Sequence, residues 1–425
     1  MIIDKNDKKL EFIKNRGKTL ESGYLNTAAN IIERVRTGGD KALFELTKEF
    51  DKFDINENNI RVTAQEIKNA YDKTDSTLIE AIKRAKARIL SFHNLQMEKT
   101  WLIEAEKGAM LGQKITPLDS AGIYVPGGKA AYFSSVLMNA LPAVAAGVKR
   151  IAMATPAFSG EVNPAVIVAA DICGIKEIYK IGGAQAIAAF AYGTESVPKT
   201  DKITGPGNIY VAMAKKLVFG EVDIDMIAGP SEVLIIADED ADPEYVAADM
   251  LAQCEHDELA SAVVIVWDKD LARKIETALE RRLAILPKRN IAEISLKKHS
   301  AIVIVDNIDE ACEMANDIAP EHLELYMKDA MSHISKIRHA GAIFLGGNSP
   351  EAAGDYFAGP NHVLPTGGTA RFFSPLGTYD FFKRSSIIYW TDETLAACGD
   401  DIVTMAKFEN LDGHGASISC RLKGK

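Results

Sequence analysis

The sequence has 425 residues, 47% hydrophobic and 25% charged, with 49 Lys and Arg set against 59 Asp and Glu. That balance belongs to an ordinary folded protein and excludes a disordered or collagen-like chain. The net charge of -10, with no basic stripe, argues against a nucleic-acid partner, and about 150 residues per domain predicts about three units, or two large ones with appendages.

The chain opens on MIIDKNDKKLEF, placing Asp4 and Asp7 where a secretory signal carries a basic start and an apolar core. The most apolar stretch, 136–148, is interrupted by Asn139 and Pro142 and falls short of the about 18 residues that a membrane span needs. Cys173, Cys254, Cys312, Cys398 and Cys420 are scattered and form no CxxC pair, as expected of reduced thiols. A cytoplasmic protein without a membrane partner is expected.

The first hundred residues read as helices. Leu78, Ile82, Ala85, Ile89 and Phe92 form one apolar stripe at steps of three and four, capped by Asp75 or Ser76, and 41–50 shows a shorter version. From Gly122 onward the pattern changes to short apolar runs between glycines and prolines: 150–156, 177–183, 233–237, 262–266, 301–305 and 342–345. These are strand-length and mostly non-alternating, the signature of parallel strands buried on both faces. Helix-length segments at 164–173, 184–192 and 243–256 separate them, which predicts an α/β fold of one or two wound sheets, with strands grouped near 120–205 and 232–345. After Leu376 the chain reads as an arm.

No GxxxxGK occurs, which disfavours a P-loop. Gly205-Pro206-Gly207-Asn208-Ile209-Tyr210 half-matches GxGxxG, with Tyr210 in place of the third glycine. With Gly127-Gly128 and Gly182-Gly183 it makes three glycine-rich strand-to-helix junctions. Each alone reads as helix packing; together, beyond the carboxyl ends of strands, they lean toward a nucleotide.

Asp242-Pro243 opens a helix carrying Gln253 and His256 three residues apart, neighbours on one face and either one side of a metal site or a polar edge in solvent. Pro320-Glu321-His322, in a loop or helix start, sets a carboxylate beside an imidazole suited to proton transfer, although the pair by itself reads first as a surface Glu-His. A glycine-punctuated loop displays Asp355 and His362, and His414 stands between two glycines near the C-terminus. The remaining histidines, His93, His299, His333 and His339, read as solvent-facing. Gln253, His256, Asp355 and His414 together make a possible four-ligand N/O set without thiolate, suited to zinc or manganese. Spacing alone cannot bring them together.

Seven blocks in order resemble the histidinol dehydrogenase family from about residue 20 onward. They are Tyr124-Val125-Pro126-Gly127-Gly128, Gly205-Pro206-Gly207-Asn208-Ile209-Tyr210-Val211-Ala212, Ala228-Gly229-Pro230-Ser231-Glu232, Gln253-Cys254-Glu255-His256, Pro320-Glu321-His322-Leu323, Asn361-His362-Val363-Leu364-Pro365-Thr366 and Leu411-Asp412-Gly413-His414. The resemblance implies zinc on Gln253, His256, Asp355 and His414, with Glu321 and His322 as the proton-transfer pair. It implies substrate contacts at Ser231, Gln253, His256, His322, Asp355, Glu409 and His414, and NAD contacts at Tyr124, Gln185 and Asn208.

The implied architecture is two incomplete Rossmann-like parallel-sheet domains with helical N- and C-terminal extensions. These are an extension at 1–22, a first Rossmann-like domain at 23–115 with 230–375, a second at 116–229, and an arm at 376–425. The implied assembly is a homodimer in which the arm brings His414 to the partner's site. The implied activity is the zinc-dependent, NAD-linked oxidation of L-histidinol through the aldehyde to L-histidine, ending histidine biosynthesis. A relative oxidising another alcohol such as a sulfonated diol, a zinc hydrolase, and a non-catalytic amino-acid binder are the alternatives at this stage.

Overall fold

The computed structural model describes residues 1–15, 22–127 and 132–422, so Gly128 of the expected glycine junction lies outside the described residues. The chain divides into two compact units, Met1–Gln96 with Asp119–Phe381, and Met97–Leu118 with Phe382–Lys425.

The larger unit contains two all-parallel sheets. In the first, Glu177–Tyr179, Arg150–Ala154, Ser120–Tyr124, Lys202–Thr204 and Asp223–Ile224 lie side by side in that order. In the second, the order is Ala301–Ile304, Ser261–Val266, Glu232–Ala237, His322–Tyr326 and Ala342–Leu345, with Ile2–Asp4 added at the Ala301 edge. Numbered within each group, both sheets run 3-2-1-4-5, a Rossmann order lacking its sixth strand. The expected α/β class with two incomplete Rossmann-like sheets is borne out. All six residues of both Glu232–Ala237 and Ser261–Val266 are buried, which explains their unbroken apolar runs.

Residues 23–115 are expected with the second sheet, whereas their helices up to Asn94 cover the first. Ser22–Asp51 packs on Gly183–Tyr192 and Ile209–Val218, and Ser76–Asn94 packs on Phe133–Ala146. The cause is apolar matching: Ile31, Val35, Leu43 and Leu46 share one core with Ile187, Phe190 and Val211. Asp75 is the cap of Ser76–Asn94, its carboxylate accepting from the Thr77 N–H. In the smaller unit, Phe382–Tyr389, Met110–Pro117 and Trp101–Glu104 form an antiparallel sheet, followed by helices Asp392–Phe408 and Asp412–Leu422. The expected arm thus incorporates 97–118, because Met110–Pro117 pairs along its length with Phe382–Tyr389.

The crevice where the first sheet reverses its order is closed tightly. A Cβ on Gly205, at φ +122°, would lie 2.1 Å from the Tyr124 carbonyl oxygen, so only glycine fits there. The loop is held from below by Asp225, whose carboxylate accepts from the N–H groups of Gly205 (2.8 Å) and Met226 (2.6 Å). Lys215 pairs with Asp225 and donates to the Gly205 carbonyl at 2.9 Å. Both side chains are almost wholly buried, so removing one strands the other's charge. Lys215→Met should lower unfolding free energy by about 3–5 kcal/mol, read from urea midpoints, and adding Asp225→Asn should recover part of the loss.

Candidate active site

Glu321 and His322 are placed by two neighbouring strands. Pro320 and Glu321 lie in the loop, one of the two expected settings, and His322 opens the strand His322–Tyr326 opposite Val233. The buried Glu324 within that strand disguises it as polar sequence. The backbone of Glu232 grips both residues, its N–H donating to Glu321 Oε2 at 3.0 Å and its carbonyl facing His322 Nδ1 at 3.1 Å. A carbonyl only accepts, so Nδ1 carries the proton and Nε2 keeps a lone pair. Nε2 is buried and has no hydrogen-bond partner among the described residues. Burial pushes His322 down to about 4, leaving it neutral at pH 7.

The short helix Glu351–Tyr356 carries Asp355, which was read as lying in a loop, together with Glu351 four residues before it on the same face. One ligand atom each from His322, Glu351 and Asp355 lies within 4.8 Å of the others. His362 Nδ1 stands 3.7 Å from Asp355 Oδ1. Burial opposes ionisation of Asp355, but His362, His322 and His256 outweigh it and hold the carboxyl below its usual value. Glu351 moves the other way, raised by burial and then by Asp355, Glu321, Glu324 and Asp249.

Gln253 is fully buried near the end of Pro243–Cys254, not on a solvent edge. His256 lies just past that helix rather than on it, its N–H bonded to the Gln253 carbonyl at 3.3 Å. Its charge nonetheless acts on Asp355 and His322. Ser231 immediately precedes Glu232 and is half-buried. Gln253, His256, Glu321, His322 and Asp355 therefore cluster at the amino ends of the second sheet, opposite to where ligands of open α/β sheets usually sit.

Two residues without an assigned role join them. Glu351 was signalled only by its four-residue spacing from Asp355. His362 was noted beside Asp355 and is anchored by Asn361, whose amide donates to the Met138 carbonyl at 2.7 Å and lies 3.3 Å from His93 Nε2. His93, expected in solvent, is therefore buried, its Nδ1 2.8 Å from Gln96 Oε1. His299 is buried too, stacked on Phe12.

Tyr124, Gln185 and Asn208 lie at the carboxyl ends of the first sheet, and Tyr124 and Asn208 flank its order reversal. The Tyr124 hydroxyl accepts from the Gly183 N–H at 3.0 Å, and burial pushes that phenol up to about 12. Asn208 caps Ile209–Val218 with its side-chain oxygen, accepting from Tyr210 at 3.0 Å and Val211 at 3.2 Å. Gln185 Nε2 and Asp51 Oδ2 are buried without partners among the described residues. In the smaller unit, Glu409 follows Asp392–Phe408, and His414 lies in the first turn of Asp412–Leu422 rather than in a glycine loop; both are exposed.

A neutral buried imidazole gripped beside a carboxylate, on a scaffold with a Rossmann-order crevice, is the equipment of an α/β oxidoreductase. The histidinol dehydrogenase family model matches residues 14–422. A histidinol dehydrogenase of Syntrophotalea carbinolica is 54% identical over 96% of this chain and 95% of its own length, and one of Caldanaerobacter subterraneus subsp. tengcongensis is 51% identical over 96% and 95%. The crystal structure of histidinol dehydrogenase from Elizabethkingia anophelis superimposes with a TM-score of 0.94 at 39% identity, covering 99% of this chain and 97% of that one. The chain belongs to the histidinol dehydrogenase family.

Burial raises Asp51 to about 6, only partly offset by the nearby Gly182 backbone. A carboxyl with a raised folded pKa binds its proton more tightly when folded, so its contribution to stability is lost as pH rises from its ordinary value of about 4 through 6. Asp51→Asn has no such loss. Its melting temperature relative to the parent should climb between pH 4 and 6 and then level off.

Proposed function

We propose that this chain oxidises L-histidinol through the aldehyde to L-histidine, with zinc and two successive NAD molecules, as the final step of histidine biosynthesis. The observation that carries this reading is His322, neutral and buried with an unpartnered Nε2, beside a carboxylate held by the same Glu232 backbone. The glycine-tight crevice between Tyr124 and Asn208 supports a dinucleotide at the other sheet.

The donor set fits zinc. Buried carboxyls face one another around His322, a cation offsets that repulsion, and the set offers nitrogen and oxygen but no thiolate. Gln253, His256, Asp355 and the partner's His414 are the proposed ligands. Bound zinc supplies a Lewis acid that anchors the substrate's amine and imidazole, and bound NAD supplies a hydride acceptor. Ser231 and Glu409 are the proposed substrate contacts beyond the metal, and Tyr124, Gln185 and Asn208 the cofactor contacts.

The chain's own residues handle protons. In the first half, His322 Nε2 takes the hydroxyl proton as hydride leaves the carbinol carbon, and the imidazolium that forms keeps its Nδ1–H on the Glu232 carbonyl. In the second half, Glu321, held by the Glu232 N–H, removes a proton from the water that adds to the aldehyde. The hydrated carbon then loses the second hydride and gives the carboxylate.

The smaller unit supports a homodimer. Trp101, Leu102, Ile103, Ile388, Tyr389, Trp390, Met405 and Phe408 are all exposed on it, more apolar surface than a solvated face normally carries.

Limiting L-histidinol with excess NAD should yield two equivalents of NADH and histidine as product. One equivalent, or none from zinc-loaded protein, overturns the reading. His322→Asn should slow the alcohol half by about 100-fold or more with zinc retained. Glu321→Gln should slow oxidation of added aldehyde more than that of added alcohol.

If His414 serves the partner, His414→Asn and His322→Asn, each inactive alone, should complement on mixing. Random reassortment of equal amounts leaves one intact site in each hybrid, or about a quarter of parental activity. No recovery from demonstrably exchanged subunits places His414 in its own chain's site.

A further inference from the structure

A glutamine amide presents an oxygen or a nitrogen to the same place by a half-turn, and only the oxygen binds a metal. Resting on the reading of Gln253 as a zinc ligand, we infer that Glu351 is the positioning residue that fixes Gln253 with its oxygen available to the metal. With the amide nitrogen toward Glu351, Gln253 donates to both carboxylate oxygens, at 2.9 and 3.0 Å. The reverse orientation sets an amide oxygen against two carboxylate oxygens in a place where neither side chain reaches water, Gln253 being fully buried and Glu351 2% exposed. With Glu351 ionised, the form that a bound dication favours, this all-acceptor contact at that burial is strongly unfavourable. The carboxylate therefore selects one of two otherwise similar rotamers.

Glu351 is itself well held. It is the first residue of Glu351–Tyr356, and its backbone N–H donates to Glu324 Oε1 at 2.9 Å. Asp355, a proposed ligand, follows one turn later, so one short helix supplies both a ligand and the group that orients another. Glu351 also lies in the cluster with His322 and Asp355, which raises the alternative that it binds the metal directly. Hydrogen bonding argues otherwise. In the orientation with nitrogen toward Glu351 both its oxygens accept from Gln253, and the nearby His322 Nδ1, 3.7 Å away, is turned to the Glu232 carbonyl. A carboxylate behind a ligand, holding its orientation, is a recurring arrangement at metal sites.

The test is a double-mutant cycle read by zinc affinity, with a chromogenic chelator competing for zinc in the full-length protein. Glu351→Gln keeps the volume but loses the all-acceptor character, so Gln253 is no longer forced into one orientation. It should weaken zinc binding by about tenfold, and Glu351→Ala by up to about a hundredfold. The decisive measurement repeats both in a Gln253→Ala background. A residue acting through Gln253 has nothing left to orient there, so the Glu351 effect should vanish. An effect of unchanged size in that background means that Glu351 acts on the metal directly or through its charge, and overturns the inference.

If Gln253→Ala binds zinc as tightly as the parent, Gln253 is not a ligand, and the underlying reading falls together with the inference. Cobalt-loaded protein gives a second readout: the visible absorption of Glu351→Gln should move toward that of Gln253→Ala. An unmoved spectrum counts against the positioning role. Glu351→Gln, being isosteric, keeps the test open should Glu351→Ala fail to fold.

Discussion

Everything at the site depends on burying acids beside one another. Glu321, Glu324 and Glu351 are each at most 6% exposed, and Asp355 stands among them with three imidazoles close enough to act on its charge. Water alone cannot solvate such a group, so each carboxyl is stabilised by a specific donor or left partly protonated. Glu321 accepts a backbone N–H from Glu232 and Glu324 one from Glu351, while Glu351 faces the Gln253 amide, which donates to it with nitrogen turned inward. Glu324 and Asp249 share the remaining strain, burial pushing them to about 8 and about 6. Under the proposed metal reading, a divalent cation would meet groups already oriented, and its charge would offset their mutual repulsion.

The strands between 150 and 154 and between 232 and 304 were legible because parallel strands covered on both faces carry continuous apolar runs. His322–Tyr326 was not, since His322 and Glu324 break the run where the chemistry sits. Ile2–Asp4 was too short for periodicity to register, and Met110–Pro117 has only one half-buried face. Helix caps at Asp75 and Asp242 were visible because a capping side chain acts within three residues of itself. His93 and His299 misled for the opposite reason: what buries them is far away in the chain, Asn361 for one and Phe12 for the other.

The candidate site shows the same boundary between local and distant information. Glu321, His322 and Asp355 stood out in the sequence by their types and settings alone, whereas the roles proposed for them came from family resemblance rather than spacing. Glu351 gave almost no signal, because a residue that acts on another side chain has no pattern of its own until the two elements meet. The choice of sheet end was hidden as well. The same 3-2-1-4-5 winding places Tyr124 and Asn208 at carboxyl ends in one sheet and Glu321 and His322 at amino ends in the other. Two copies of one topology thus present opposite faces to their tasks.

The pairing of Ile2 with Ile302 bears on how the chain is made. Ile2–Asp4 leaves the ribosome roughly 300 residues before its neighbour Ala301–Ile304, an interval of about 15–60 s at ordinary elongation rates. The first sheet, whose strands all fall between 120 and 224, has time to form with its covering helices during that interval. The second sheet cannot gain its outer strand until most of the chain has been translated. Glu321 and His322 belong to that later sheet, so vectorial synthesis orders the molecule as well: the crevice between Tyr124 and Asn208 can mature first, and the buried acids come together after it.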